Sequence, residues 1–161
     1  LSPVDRLKTQ TSLRKNAMPN IEKSVITAAS PETIFRIYQD VENWNKWDPD
    51  TKSYHLAHGL TLGSLGSLTT TKGNTVPMEV TAVIENRSFT VTSKTMLFRM
   101  DFDHELTPVS NGTQIVHRVK FSGFLKPILS MIVGRIVDKG LPITLQNLKK
   151  LAESAPLATA K

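Results

Sequence analysis

The chain contains no cysteine among its 161 residues. That absence excludes disulfides, thiolate zinc sites and a cysteine nucleophile, and it suits a reducing compartment. No run of about 18 apolar residues occurs, so no transmembrane helix is expected. Residues 1–20 are polar and basic and lack the apolar stretch of a secretory signal, which leads to the expectation of a cytoplasmic protein. The two glycosylation-type sequons, Asn86-Arg87-Ser88 and Asn111-Gly112-Thr113, are then chance matches. No Ser-His-Asp order, phosphate loop, nucleophile elbow or dinucleotide fingerprint is present. Gly63-Ser64-Leu65-Gly66 is too short for such a loop, and it precedes a strand pattern rather than a helix. Apolar residues make up only 39% of the chain, which is low for a globular protein, so they must be well placed to form a core.

The net charge is +6. Within residues 1–20, Arg6, Lys8, Arg14 and Lys15 stand against Asp5, so half of the excess lies on a short N-terminal stretch. The remainder is mildly basic and has no dense Lys/Arg run interleaved with aromatics, so no nucleic-acid partner is expected. Residues 1–19 show no period and are read as an N-terminal extension outside the fold, with Met18 a candidate start. Residues 20–154 form a single domain, long enough to bury a core without staples. Residues 155–161 are small and polar and read as a tail. No pattern in the chain sets its oligomeric state.

The densest local signal runs from Ala28 to Pro49. Ser30 is a good N-cap and Pro31 suits the first helical position. Ile34, Phe35, Ile37, Tyr38 and Val41 then recur at spacings of three and four, which predicts a helix with one buried face. Asp40 can cap a second short helix carrying Trp44 and Trp47, and Asp48-Pro49 ends it. A strand is predicted before this stretch, over 21–28, and six follow it, at 52–57, 65–71, 76–85, 88–94, 98–106 and 113–122. In the fourth of the seven, Met78, Val80, Ala82 and Ile84 fall on one face. In the sixth, Phe98, Met100, Phe102, His104 and Leu106 alternate with Arg99, Asp101, Asp103 and Glu105. In the seventh, Ile115, His117, Val119 and Phe121 take one face. A long helical pattern, 125–153, carries an apolar stripe from Leu125 to Leu151, with a kink expected near Gly140 and Pro142.

A seven-stranded antiparallel sheet with one apolar face needs a cover, and one long helix supplies it. Residues Ala28, Pro31, Glu32, Ile34, Phe35, Asp40, Trp44, Trp47 and Pro49, with the later Gly112–Gly123 segment and the long C-terminal helix, resemble the START-like (SRPBCC) superfamily in its polyketide cyclase/dehydrase-like branch. The resemblance covers about residues 20–154. It implies an α+β helix-grip fold of the START/Bet v 1-like kind, in which the sheet curls around the C-terminal helix and two short helices follow the first strand. One fold hosts many activities, so function must come from the site.

The histidines are the sharpest candidates. Strand parity places His104 and His117 on the apolar face, and a hairpin turn at 108–112 permits a register that sets them directly opposite one another. Such a pair can contact a ligand or act as general acid or base, or it can be bonded within the core. It lacks a third metal ligand at motif spacing, and His55 and His58 supply no supporting pattern, so no metal is expected. Trp44 reads as core. Trp47 either packs the short helix or stacks on a planar ligand. Arg135 interrupts the helical stripe and either faces a cavity or snorkels from its flank. The residues expected to line a ligand cavity are Trp47, Met78, Phe98, Met100, Phe102, His104, His117, Val119, Phe121, Ile132 and Arg135. The function read from these residues and the resemblance is binding of a small hydrophobic molecule, lipid or polyketide-like, between sheet and helix, with no cofactor. One alternative is a polyketide cyclase or dehydratase using a cavity histidine. Another is a protein-interaction module of the same superfamily.

Overall fold

The computed structural model describes residues 21–155. The expectations for residues 1–19, and for the tail beyond Ala155, lie outside that range. The order is β1 (Ile21–Thr27), α1 (Pro31–Gln39), a 3-10 helix (Val41–Lys46), β2 (Thr51–Leu56), β3 (Leu65–Thr70), β4 (Thr75–Ile84), β5 (Ser88–Lys94), β6 (Arg99–Val109), β7 (Gly112–Ser122) and α2 (Lys126–Ser154). The strands form one antiparallel sheet in the order β1-β7-β6-β5-β4-β3-β2. This is the expected helix-grip architecture.

Local chemistry explains the elements. The Ser30 hydroxyl accepts from the Thr33 amide at 3.3 Å, Pro31 opens α1, and Ile34, Phe35 and Tyr38 form its buried face. Asp40 does not cap the next helix through its backbone amides. Its carboxylate instead accepts from the Asn43 side chain at 2.9 Å, and the segment winds as a 3-10 helix. The β6–β7 hairpin is tighter than the sequence suggests, because Val109 still pairs with Gly112 across Ser110-Asn111. Gly112 has φ +138°, and a Cβ there would lie 2.0 Å from the Thr27 carbonyl oxygen. Only glycine allows both that backbone and that approach.

The structure corrects one expectation of pattern. In β4, the register with β5 shifts between Val80 and Ala82. This bulge reverses the parity, so Val83 packs on the core while Ala82 and Ile84 are exposed, the latter at 55%. In α2, the helix runs unbroken through Gly140 and Pro142.

α2 makes its closest backbone approach to β1 and β7, at one side of the sheet. Its second half buries Thr144, Leu145, Leu148 and Ala152, whereas its first half buries only Gly134. The core therefore lies under the second half, where α1, the 3-10 helix and the inner sheet face meet. The apolar stripe of the first half does not share it.

Candidate functional site

The β6–β7 register is the expected one: His104 faces His117, Phe102 faces Val119 and Leu106 faces Ile115. The two imidazole centroids are 4.4 Å apart and nearly perpendicular. Phe89, the β5 partner of His104, stacks flat on its ring at 4.1 Å. Tyr38 reaches down from α1 between these groups, and its Oη and His117 Nε2 form a buried 2.9 Å hydrogen bond. Trp44 Nε1 donates to the Tyr38 carbonyl oxygen at 2.8 Å, which ties the 3-10 helix to α1. Trp47 lies edge-on to both Tyr38 and His117.

This is a polar pair inside an aromatic box, and the box sets its protonation. Burial lowers the His104 pKa to about 4. Burial and then the neighbouring His104 hold His117 well below its ordinary value. Burial alone raises Tyr38 far above a free phenol. Near neutral pH all three groups are uncharged, so the array can donate, accept and relay protons without carrying a charge. Among the described residues, four buried polar atoms have no hydrogen-bond partner: Trp47 Nε1, Tyr54 Oη, His104 Nδ1 and Ser93 Oγ. The rings of Trp47, Tyr54 and His104 all surround Trp44. Ser93 lies further along β5, opposite Met100.

The other predicted lining residues separate into three groups. Met78, Val119 and Phe121 are buried on the inner face. Phe98, Met100 and Phe102 are half-buried, toward the end of the sheet where α2 begins. Ile132 and Arg135 depart from expectation. Ile132 is 56% exposed, because it lies about 160° around the helix from buried Gly134. Arg135 is exposed on the flank of α2, where it lines an open cleft of about 230 Å³ with Ile21, Phe121 and Asp138. A second open cleft, about 460 Å³, lies between α1, the 3-10 helix and the end of α2. Neither cleft is lined by the histidines. The protein's own rings fill the space beside them, where the sequence suggested room for a ligand.

Sequence reasoning missed Tyr38, Tyr54, Phe89 and Ser93. Tyr38 carried a usable signal: a tyrosine on the buried face of a helix must find a partner for its hydroxyl. On the outer face of β6, Asp103 pairs with Lys120 and Glu105 with Arg118, while Asp101 pairs with Arg99 on its own strand. Among the described residues no cluster of potential metal ligands forms, and no helix is long and apolar enough to cross a membrane.

This geometry defines a helix-grip protein with a neutral polar array buried on the inner face of its sheet. A profile of the family described as polyketide cyclase / dehydrase and lipid transport matches residues 18–153, and the chain belongs to that family. No curated protein sequence matches it significantly. Solved structures share the fold. Protein MLL2253 from Mesorhizobium loti is 19% identical with a TM-score of 0.68, over 86% of this chain and 99% of that one. Ara h 8.0201 is 17% identical with a TM-score of 0.67, over 84% and 98%. The di-domain ARO/CYC StfQ from the steffimycin biosynthetic pathway is 14% identical with a TM-score of 0.69, over 89% of this chain and 53% of that one.

Proposed function

We propose that the protein binds a small, mostly apolar molecule between the inner face of the sheet and the first half of α2. Family membership supports ligand binding in general. The observation that carries the reading is the set of buried polar atoms without partners. Each such atom costs about 1–3 kcal/mol when left unpaired, so a polar group on a ligand that reached it would gain a bond the folded chain lacks. Ser93 Oγ is the member of the set nearest the loosely packed end of the sheet, since Met100 opposite it and Phe102 beyond are half-buried. The preferred ligand is thus an apolar body with one or two hydroxyl or carbonyl groups, of the lipid or polyketide kind.

The test is native mass spectrometry of protein purified from its own host, followed by melting with fatty acids and with planar aromatic phenols. A ligand at a hundred times its Kd should stabilise the fold by about 2.7 kcal/mol. Ser93→Val should weaken a hydroxylated ligand relative to its hydrocarbon. No co-purified molecule and no stabilising compound in either panel would sink the reading.

The Tyr38–His117 bond also supports a second reading, a cyclase or dehydratase in which His104 or His117 moves a proton. Unchanged turnover of every accepted substrate in both His104→Ala and His117→Ala excludes it.

A further inference from the structure

We infer that the end of the molecule formed by the β5–β6 turn, the β7–α2 turn and the first half of α2 docks on an anionic lipid bilayer. The surface begins with two turns that are built together. The Thr95 hydroxyl accepts from the amides of Leu97 and Phe98, both at 3.3 Å, which shapes the first turn. The Leu97 carbonyl then accepts from the Leu125 amide at 3.1 Å. Gly123 permits this closeness: a Cβ there would sit 2.8 Å from that same carbonyl oxygen. The tips so joined present Met96, 96% exposed, and Phe124, 86% exposed, with Leu97 and Ile128 beside them. Ile132 and Ile136 continue the apolar surface along the side of α2 that faces away from Gly134. Single exposed apolar side chains are ordinary, but a contiguous group on two joined turns and one helix marks an interaction surface.

The charges around this surface choose the occupant. Among the described residues, Lys94, Lys126, Arg135 and Lys139 form no salt bridge. The acidic residues of the same segments, Asp101 and Asp138, are engaged by Arg99 and Lys23. The surface is thus a convex apolar tip with an uncompensated cationic rim. A second copy related by two-fold symmetry would bring that rim against itself. An anionic bilayer instead offers acyl chains to Met96, Leu97 and Phe124 and negative headgroups to the lysines. Phe98 and Met100, half-buried on the inner face, lie at this same end. Docking goes beyond the ligand-binding reading and does not require it.

Vesicle flotation tests the inference, with phosphatidylcholine vesicles and with equimolar phosphatidylcholine and phosphatidylglycerol. The full chain should float with the anionic vesicles, less so as salt rises, and stay unbound with the neutral ones. The double variant Met96→Ser/Phe124→Ser changes only exposed tips, and Lys126→Glu/Lys139→Glu only the rim. Both should melt like the parent protein and partition at least about tenfold less. Failure to float with anionic vesicles, or unchanged flotation of both variants, overturns the inference. So does a parent dimer, seen by light scattering, that the tip variant turns into monomer. Ligand binding without flotation would remove the docking inference and leave the proposed function standing; flotation without any ligand would do the reverse.

Discussion

Lowering the pH should destabilise this protein through buried His117 and half-buried His104 before most carboxylates titrate. An ordinary histidine takes up its proton near pH 6.5, whereas His104 in the fold does so only near 4 and His117 is also held well below its ordinary value. A base held neutral by the fold binds fewer protons folded than unfolded. The stability it supports is fully present above pH 6.5 and is lost as pH falls from 6.5 toward 4. Between pH 7.5 and pH 5 the linkage relation gives a loss of about 2 kcal/mol for His104, and His117 adds to it in the same direction. Half-buried Asp48 works in the opposite direction, since desolvation raises its pKa and the folded chain binds that proton more readily. Its effect is common to parent and variant and cancels in their difference. The variant is His104→Phe, which keeps a ring against Phe89 and removes the titrating group together with the unpartnered Nδ1. Urea unfolding at half-unit steps from pH 7.5 to 5 should show the parent losing about 2 kcal/mol more than the variant. Parallel pH profiles for the two proteins, or an NMR titration of His104 near 6.5 in the folded state, would refute the account.

Tyr38→Phe removes the only hydroxyl bonded to His117 Nε2 among the described residues, so it should destabilise the fold by about 1–3 kcal/mol in urea unfolding at pH 7.5; a change under about 0.5 kcal/mol would show that the bond contributes nothing net. Gly112→Ala places a Cβ against the Thr27 carbonyl at a backbone angle that other residues avoid, and it should lower stability by about 1–3 kcal/mol, read from the thermal midpoint; an unshifted midpoint would contradict the close approach of β1 and the hairpin.

Much of the fold was legible because its signals are local. The cap at Ser30, the alternation in β6 and β7 and the hairpin between them depend on neighbouring residues, and strand parity alone brought His104 and His117 together. The bulge in β4 was not legible, since Met78, Val80, Ala82 and Ile84 alternate perfectly and only the pairing with β5 reveals the extra residue. The site was half legible for a related reason. Periodicity assigns a residue to a face, but it does not say which side chain from another element will meet it there. Tyr38 lies 79 positions from His117, and nothing in either local sequence links them.

The long helix shows the same limit most fully, and it joins the two proposals. Its apolar residues have one period from end to end, yet the two halves meet different surroundings. The second half is held by Leu145, Leu148 and Ala152, each essentially buried, and burial of each leucine stabilises by about 1.5–3 kcal/mol. The first half is held by the contact of Gly134 with Ile21 and by the Lys23–Asp138 ion pair, which is exposed enough to contribute only about 0–1 kcal/mol. The fold is therefore anchored at the end that carries Tyr38 and the histidines and is loosely covered at the end that carries Met96 and Phe124. An apolar molecule leaving a bilayer would meet the loosely covered end first, with the half-buried Phe98 and Met100 and then Ser93 behind it. The buried array lies deeper, where it would meet only the leading group of such a ligand.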